Sequence, residues 1–332
     1  MICKGVKFGT WLLALAAIAC DRGRREAPTP TPDPTPAPAT PAAPACTLAP
    51  VAMRYPMPKR LVAIGDLHGD LAAMRAALET AGAIDDADKW IGGDLVIVQT
   101  GDILDRGDDE QAMIDLALKL EVEAKAAGGA YIQLLGNHEL MNAAGDFRYV
   151  TPGAVHDFDD APGLDTRPWM RAPEKIRGRI AALGPGGVYA KKLAAHNVVA
   201  IVGDTAFSHA GVLAEWVTQL DGVNQGSRCW LDGQAGGPEA AAPALASDTS
   251  PVWTRAYGVD PVDCATAKAA LAKLGIKRQV VGHTVQEKGI NGTCDDTIWR
   301  IDVGLAKLYG GPIEVLELRP DQPPKVLRGR RL

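Results

Sequence analysis

Five short strings in this sequence carry side chains able to hold metal ions. They are Gly65-Asp66-Leu67-His68-Gly69, Gly101-Asp102-Ile103-Leu104-Asp105-Arg106-Gly107, Gly136-Asn137-His138-Glu139, Ser208-His209-Ala210-Gly211 and Gly282-His283-Thr284. Together they offer carboxylate, amide and imidazole donors, a mixed oxygen and nitrogen set suited to manganese, iron or zinc rather than calcium. Asp66 and His68 are two residues apart, so on extended backbone both side chains project to one side. A lone Asp-x-His says little, because a single buried histidine is more often hydrogen-bonded in a core than bound to a metal. Here four of the six histidines fall inside the five strings. The flanking glycines allow sharp turns and close approach of backbone to a ligand.

Such residues work only if the chain brings them together, and the elements around them point that way. Arg60–Gly65, Asp94–Thr100 and Ala130–Leu135 are apolar, β-rich runs that read as strands. Each ends just before one of the first three strings. Helical stretches over Asp70–Ala81 and Asp109–Ala127 separate them. Further strands are expected at Val198–Val202, Thr205–Ser208, Arg278–Val281, Thr297–Asp302 and Ile313–Leu318. In α/β sheets the carboxyl ends of strands converge on a crevice, where these donors could meet. Early βαβ units followed by antiparallel-looking strands imply an α/β fold of two packed sheets with helices outside. Residues 142–192 break the rhythm. They are rich in Gly, Pro, Asp and Arg, are too long for a plain connection, and read as a lid-like insertion.

The order DxH, GDxxDRG, GNHE, H, GH resembles the calcineurin-like metallophosphoesterases, in their phosphoprotein-phosphatase branch. The longer strings GNHELMN, GDFRYVTPG, PVWTRAYG, VVGHTVQEKGI and WRIDVGLAKLYGG resemble the Shewanella-like protein phosphatases, and the likeness runs from Arg60 to about Glu317. The resemblance implies the four-layer αββα metallophosphatase sandwich, two mixed β-sheets flanked by helices. It implies two divalent metals, manganese first, with iron or zinc as alternatives. Asp66 and His68 would bind one metal, Asp102 would bridge, and Asn137, His209 and His283 would complete the other. His138 would be the general acid, oriented by Asp105. Arg106, Asn137 and Arg255 would grip the phosphate, with Arg148 a further candidate and Glu139 a supporting partner of a ligand. Cations so placed hold a hydroxide for in-line attack on phosphorus. The implied substrate is a phosphomonoester, a phosphorylated protein (Tyr or Ser/Thr) or a small phosphoester. Nucleotides or dinucleoside polyphosphates are the alternative for the same metal centre. A tethered, non-catalytic metal-binding module would require a lost ligand, and all six are present.

The remaining sequence bears on where such a domain would work. The chain has 332 residues, 47% hydrophobic, with formal net charge −5. That balance argues against general nucleic-acid binding. Residues 1–19 read as a signal peptide: Lys4 and Lys7 precede an apolar run from Phe8 to Ala19, too short to span a membrane. Ala17-Ile18-Ala19-Cys20 resembles a lipobox, which implies lipidation of Cys20, a membrane partner, and a bacterial cell-envelope location facing the periplasm or exterior. An ordinary signal peptide with an incidental cysteine is the alternative. Residues 20–58, rich in Pro, Ala and Thr, read as a linker, and 59–327 as the folded domain. Cys46, Cys229, Cys264 and Cys294 would remain after export, which permits two disulfides in three connectivities. Cys264–Cys294 is preferred, because a helix start and the loop after the following strand lie at one edge of an αβ unit.

Overall fold

The computed structural model describes residues 46–234 and 242–331. The expected signal peptide, Cys20 and the linker as far as residue 45 lie outside the described residues. The strands are β1 (Arg54–Tyr55), β2 (Leu61–Ile64), β3 (Val96–Gln99), β4 (Ala130–Gln133), β5 (Val199–Val202), β6 (Thr205–Ser208), β7 (Arg278–Val281), β8 (Asn291–Thr293), β9 (Ile298–Arg300), β10 (Glu314–Leu318) and β11 (Lys325–Arg328). The helices are α1 (Leu71–Thr80), α2 (Glu110–Ala126), α3 (Asn137–Ala143), α4 (Glu174–Leu183), α5 (Val188–Leu193), α6 (Leu220–Leu231) and α7 (Cys264–Leu274).

Two mixed sheets with helices around them form an α/β sandwich of the metallophosphatase type. One sheet has the order β11-β10-β2-β3-β4 and the other β1-β5-β6-β7-β9-β8. Within the first, β2, β3 and β4 run parallel, and β10 is antiparallel to both β2 and β11. Within the second, β6, β7 and β9 run parallel. The central strands are buried along their length. Leu61, Val62, Ala63 and Ile64 of β2 are all buried, as strands covered on both faces must be. Helix α1 starts where Asp70 caps it, its carboxylate accepting from the Ala73 N–H at 2.9 Å. The helix then buries Ala73, Met74, Ala76, Ala77 and Leu78.

Three strands were not expected from the sequence, and all three are sheet edges: β1, β8 and β11. Edge strands bury little, so their pattern is weak: β8 is Asn-Gly-Thr and only half-buried. The linker boundary placed at 58 falls inside the fold. Arg54 and Tyr55 pair with Ile201 and Val202 of β5, and Cys46 is bonded to Cys229 of α6. Segment 142–192 contains α4 and most of α5 and is built into the core. Phe158, Ala182, Leu183, Tyr189 and Ala190 are buried with the rest of the main apolar cluster.

Cys264 and Cys294 are also bonded, closing a loop with sequence separation 30. The bridge ties the start of α7 to the end of β8, behind the loop that carries His283. Loop-closure entropy for that length gives roughly 3–4 kcal/mol of stability. The double variant Cys264→Ser/Cys294→Ser is therefore expected to unfold at lower urea concentration, by about that free energy. An unchanged midpoint would show that the bridge does not constrain the unfolded chain.

Candidate metal centre

Every donor singled out from the sequence sits one to four residues past the carboxyl end of a parallel strand. Asp66 follows β2, Asp102 follows β3 and Asn137 follows β4, all in one sheet; His209 follows β6 and His283 follows β7 in the other. The two sheets thus deliver their donors to a common mouth. Reaching it requires unusual backbone. His68, Asp102, Asp105, Arg106 and His283 have φ of 44°, 58°, 68°, 68° and 66°. Non-glycine residues in this region cost about 1–3 kcal/mol each and concentrate at functional sites. At Gly282 a Cβ would lie 2.2 Å from Asp66 Oδ1, so only glycine lets the His283 loop close on that carboxylate. The His283 N–H then donates to Asp66 Oδ2 at 3.1 Å.

Two triads of possible ligands share Asp102: His68, Asp102 and His138, and Asp102, His209 and His283, with ligand atoms within 4.8 Å of one another in each. Backbone carbonyls fix two of the rings. His68 Nδ1 meets Leu104 O at 3.0 Å and His209 Nδ1 meets Thr100 O at 3.2 Å. Each Nδ1 therefore carries the proton, and each Nε2 offers its lone pair to the centre. His68 Nε2 lies 3.7 Å from Asp102 Oδ2 and 4.0 Å from Asp66 Oδ2. His209 Nε2 lies 3.2 Å from Asp102 Oδ2 and 3.0 Å from His283 Nδ1. Asn137 stands between Gly136 and His138, and the His138 N–H donates to Asp102 Oδ1 at 3.0 Å. The Asn137 amide nitrogen donates to Met141 Sδ, while its Oδ1 is buried with no hydrogen-bond partner among the described residues.

The electrostatics fit cations. Burial pushes His68 down to about 3 and His283 to about 2, so both rings are neutral, as imidazole ligands must be. Asp102 is held well below the usual carboxylate range: burial works against it, but His209 and His138 outweigh that. Asp66 is pushed well above that range by burial and by the nearby Asp302 and Asp102 carboxylates. Three acids this close, buried, repel one another unless positive charge lies among them. Two divalent ions would supply it, and the His68 and His283 imidazoles and the Asn137 oxygen would supply remaining donors.

His138 is different. Its Nδ1 lies 2.5 Å from Asp105 Oδ2. Burial lowers its pKa, but Asp102 and then the Asp105 hydrogen bond outweigh burial and hold it above the ordinary histidine value. It is within ligand reach by distance, yet its pKa is raised where those of His68 and His283 are lowered. Arg106 reaches His68 with Nη1, 2.5 Å from Nε2, between the rings of Tyr149 and Tyr309 at 4.9 and 5.6 Å. On the opposite side Arg255 donates from Nη1 to His283 O at 3.3 Å and to Thr284 Oγ1 at 3.1 Å. The two guanidinium groups thus flank the centre, one beside each histidine set. His68 and Arg106 open on a cleft of about 680 Å³ that Thr151, Lys307 and Leu308 also line.

Glu139 binds no donor set directly. Its carboxylate accepts from the N–H groups of Asp102, Ile103, Leu104 and Gly136 at 2.8, 2.8, 3.1 and 2.7 Å. It holds the Asp102 loop against the start of α3. Arg148 is not brought in: it forms an exposed pair with Asp146 at 2.6 Å. His196 pairs with Glu121 and His156 with Asp159, both away from the strings. The sequence did not single out Asp302, which lies two residues past β9, in line with the strand-end rule that places the other donors. Nor did it single out Tyr149, Tyr309, or the buried Glu110, Asn142 and Arg179 that surround Asp105.

Comparison with known proteins agrees with this geometry. The model of the Calcineurin-like phosphoesterase family matches residues 59–287. Shewanella-like protein phosphatase 2 of Arabidopsis thaliana is 42% identical over 313 residues, covering 84% of this chain and 80% of that protein. A cold-active protein tyrosine phosphatase structure is 25% identical with TM-score 0.69, covering 85% of this chain and 82% of that one. The cold-active protein tyrosine phosphatase of a psychrophilic Shewanella species shares the fold at 24% identity, with TM-score 0.69 over 84% and 83% of the two chains.

Proposed function

The chain belongs to the calcineurin-like phosphoesterase family, in its Shewanella-like phosphatase group, and from that premise we propose that it is a metal-dependent hydrolase of phosphorylated proteins. One observation carries the reading: two histidine–carboxylate sets share Asp102, and His138, held by Asp105, stands beside them. When bound, two divalent cations lower the pKa of a water and neutralise phosphoryl charge. The mixed oxygen and nitrogen donors suit manganese, iron or zinc, and the family resemblance puts manganese first.

The chain's own residues account for the rest. Arg106 and Arg255 bind the phosphate oxygens from opposite sides, with planar donors matched to that geometry. The Asn137 amide adds a neutral contact at the same place. His138 donates a proton to the leaving oxygen, and Asp105 fixes the ring so that Nε2 carries it. Similarity to a Shewanella-like protein phosphatase and a protein tyrosine phosphatase supports a phosphoprotein substrate, and the cleft beside His68 leaves room for a peptide.

The test is a substrate panel with manganese-loaded protein: phosphotyrosine peptide, phosphoserine peptide, a nucleotide and a dinucleoside polyphosphate. Turnover of one phosphopeptide at least tenfold above both nucleotides is expected. The reverse order would replace the phosphoprotein reading by nucleotide hydrolysis at the same centre.

The reading extends to location. Cys20 carries lipid after export, and the Pro/Ala/Thr-rich linker holds the domain off a bacterial envelope membrane. Support comes from the signal-like residues 1–19 and from Cys46–Cys229 and Cys264–Cys294, since bridges of this kind persist in oxidising compartments. Labelled palmitate should enter the protein expressed in a bacterium and be absent from Cys20→Ser. Equal labelling of the two would remove the anchor.

A further inference from the structure

Behind His138 lies a buried polar network that the reaction just described does not use. Arg179 of α4 is at its centre and is fully buried. All five of its N–H donors are satisfied. Nε donates to Asn142 Oδ1 at 2.9 Å. Nη1 donates to Glu110 Oε2 and to Ala154 O. Nη2 donates to Glu110 Oε1 at 2.9 Å and to Asp105 Oδ1 at 3.4 Å. The rings of Phe158 and Phe147 lie 5.5 and 5.9 Å from the guanidinium carbon.

Asp105 is therefore held on every side. Oδ2 faces His138 Nδ1 at 2.5 Å, and Oδ1 accepts from Asn142 Nδ2 at 3.1 Å as well as from Arg179. Its own N–H donates to Glu110 Oε1 at 2.5 Å, and its φ is 68°. Arg179 and His138 are set against two acids, Glu110 and Asp105, in space closed to solvent. Fork geometry is what such a hub requires. A guanidinium reaches several acceptors at fixed angles, where an ammonium group is a single point charge.

We propose that Arg179 is a positioning residue for the Asp105–His138 pair: it sets the Asp105 carboxylate from behind and so aims the His138 ring at the leaving oxygen. This rests on the phosphoesterase reading. It makes segment 142–192 part of the proton-transfer apparatus as well as a cover, because α4 delivers the guanidinium. A residue that only braced the segment would change stability and nothing specific to the leaving group.

The experiment is a double-mutant cycle of Arg179→Lys with His138→Asn in the manganese-loaded full chain. The kinetic constants are measured on an alkyl phosphate and on p-nitrophenyl phosphate, together with metal content. Arg179→Lys should lower kcat on the alkyl ester by about tenfold to a hundredfold, part of what a general acid supplies. The loss on the nitrophenyl ester should be several-fold smaller, with KM and metal content unchanged. In the His138→Asn background Arg179→Lys should have no further effect. Equal losses on both esters, or additive losses in the cycle, would overturn the positioning role. A second variant, Glu110→Gln/Arg179→Met, removes both buried charges at once and runs through the same cycle. If neither variant folds, Arg179 belongs to the architecture alone and the proposal falls. Wild-type protein inactive on both esters would overturn the phosphoesterase reading, and the positioning role with it.

Discussion

Asp102→Asn is expected to release both metal ions and to lower turnover by about 10⁴-fold or more, as loss of one member of a cooperating catalytic unit does. The change is small in shape. Asparagine keeps an oxygen able to accept the His138 N–H now bonded at 3.0 Å, so the start of α3 should stay in place. What is lost is charge at the one atom both histidine sets face. Asp102 Oδ2 lies 3.2 Å from His209 Nε2 and 3.7 Å from His68 Nε2. Elemental analysis of protein purified without added metal, with circular dichroism to confirm the fold, reads the effect directly. A folded variant with full metal content and wild-type turnover would contradict the shared-ligand role. Loss of a single ion would instead make Asp102 a ligand of one set alone.

The donors were legible in the sequence because they obey a local rule. A buried run such as RLVAIG ends, a glycine turns, and a donor follows within a few residues. Asp66, Asp102, Asn137 and His283 satisfy it in full, while His209 and Asp302 follow β6 and β9 without an intervening glycine. Asp302 escaped because it stands alone, without a histidine beside it. The strand-end rule applied to every strand, rather than to the recognisable strings, would have found it. Edge strands escaped for a different reason: half-buried residues such as those of β8 need no apolar pattern. Arg179 escaped most completely. Its segment holds several arginines, and nothing local separates the one that turns inward from Arg167 and Arg171, which stay near the surface. Only packing of α4 against the Asp105 loop selects it. Long-range contacts of that kind leave no periodic trace, so the lid expected at 142–192 turned out to contribute core and buried charge.

His138→Asn should separate the two halves of the site, keeping the metals while slowing turnover of an alkyl phosphate by about 10²–10⁴-fold. Burial disfavours a charge on this ring. His138 is buried, yet Asp102 and its hydrogen bond to Asp105 hold its pKa above the ordinary value and so favour the protonated ring. Its Nδ1 is taken by Asp105, which leaves the Nε2 proton to give away. An alkoxide leaves poorly without that proton, whereas nitrophenolate leaves readily without it. The loss on p-nitrophenyl phosphate should therefore be at least tenfold smaller than on the alkyl ester. Asparagine cannot donate an acidic proton, but it can still bond to Asp105 and preserve the loop. Equal losses on both esters would remove the general-acid role. Loss of metal from His138→Asn would assign the ring to the His68 and Asp102 set as a ligand, and the proton for the leaving oxygen would then have to come from another group.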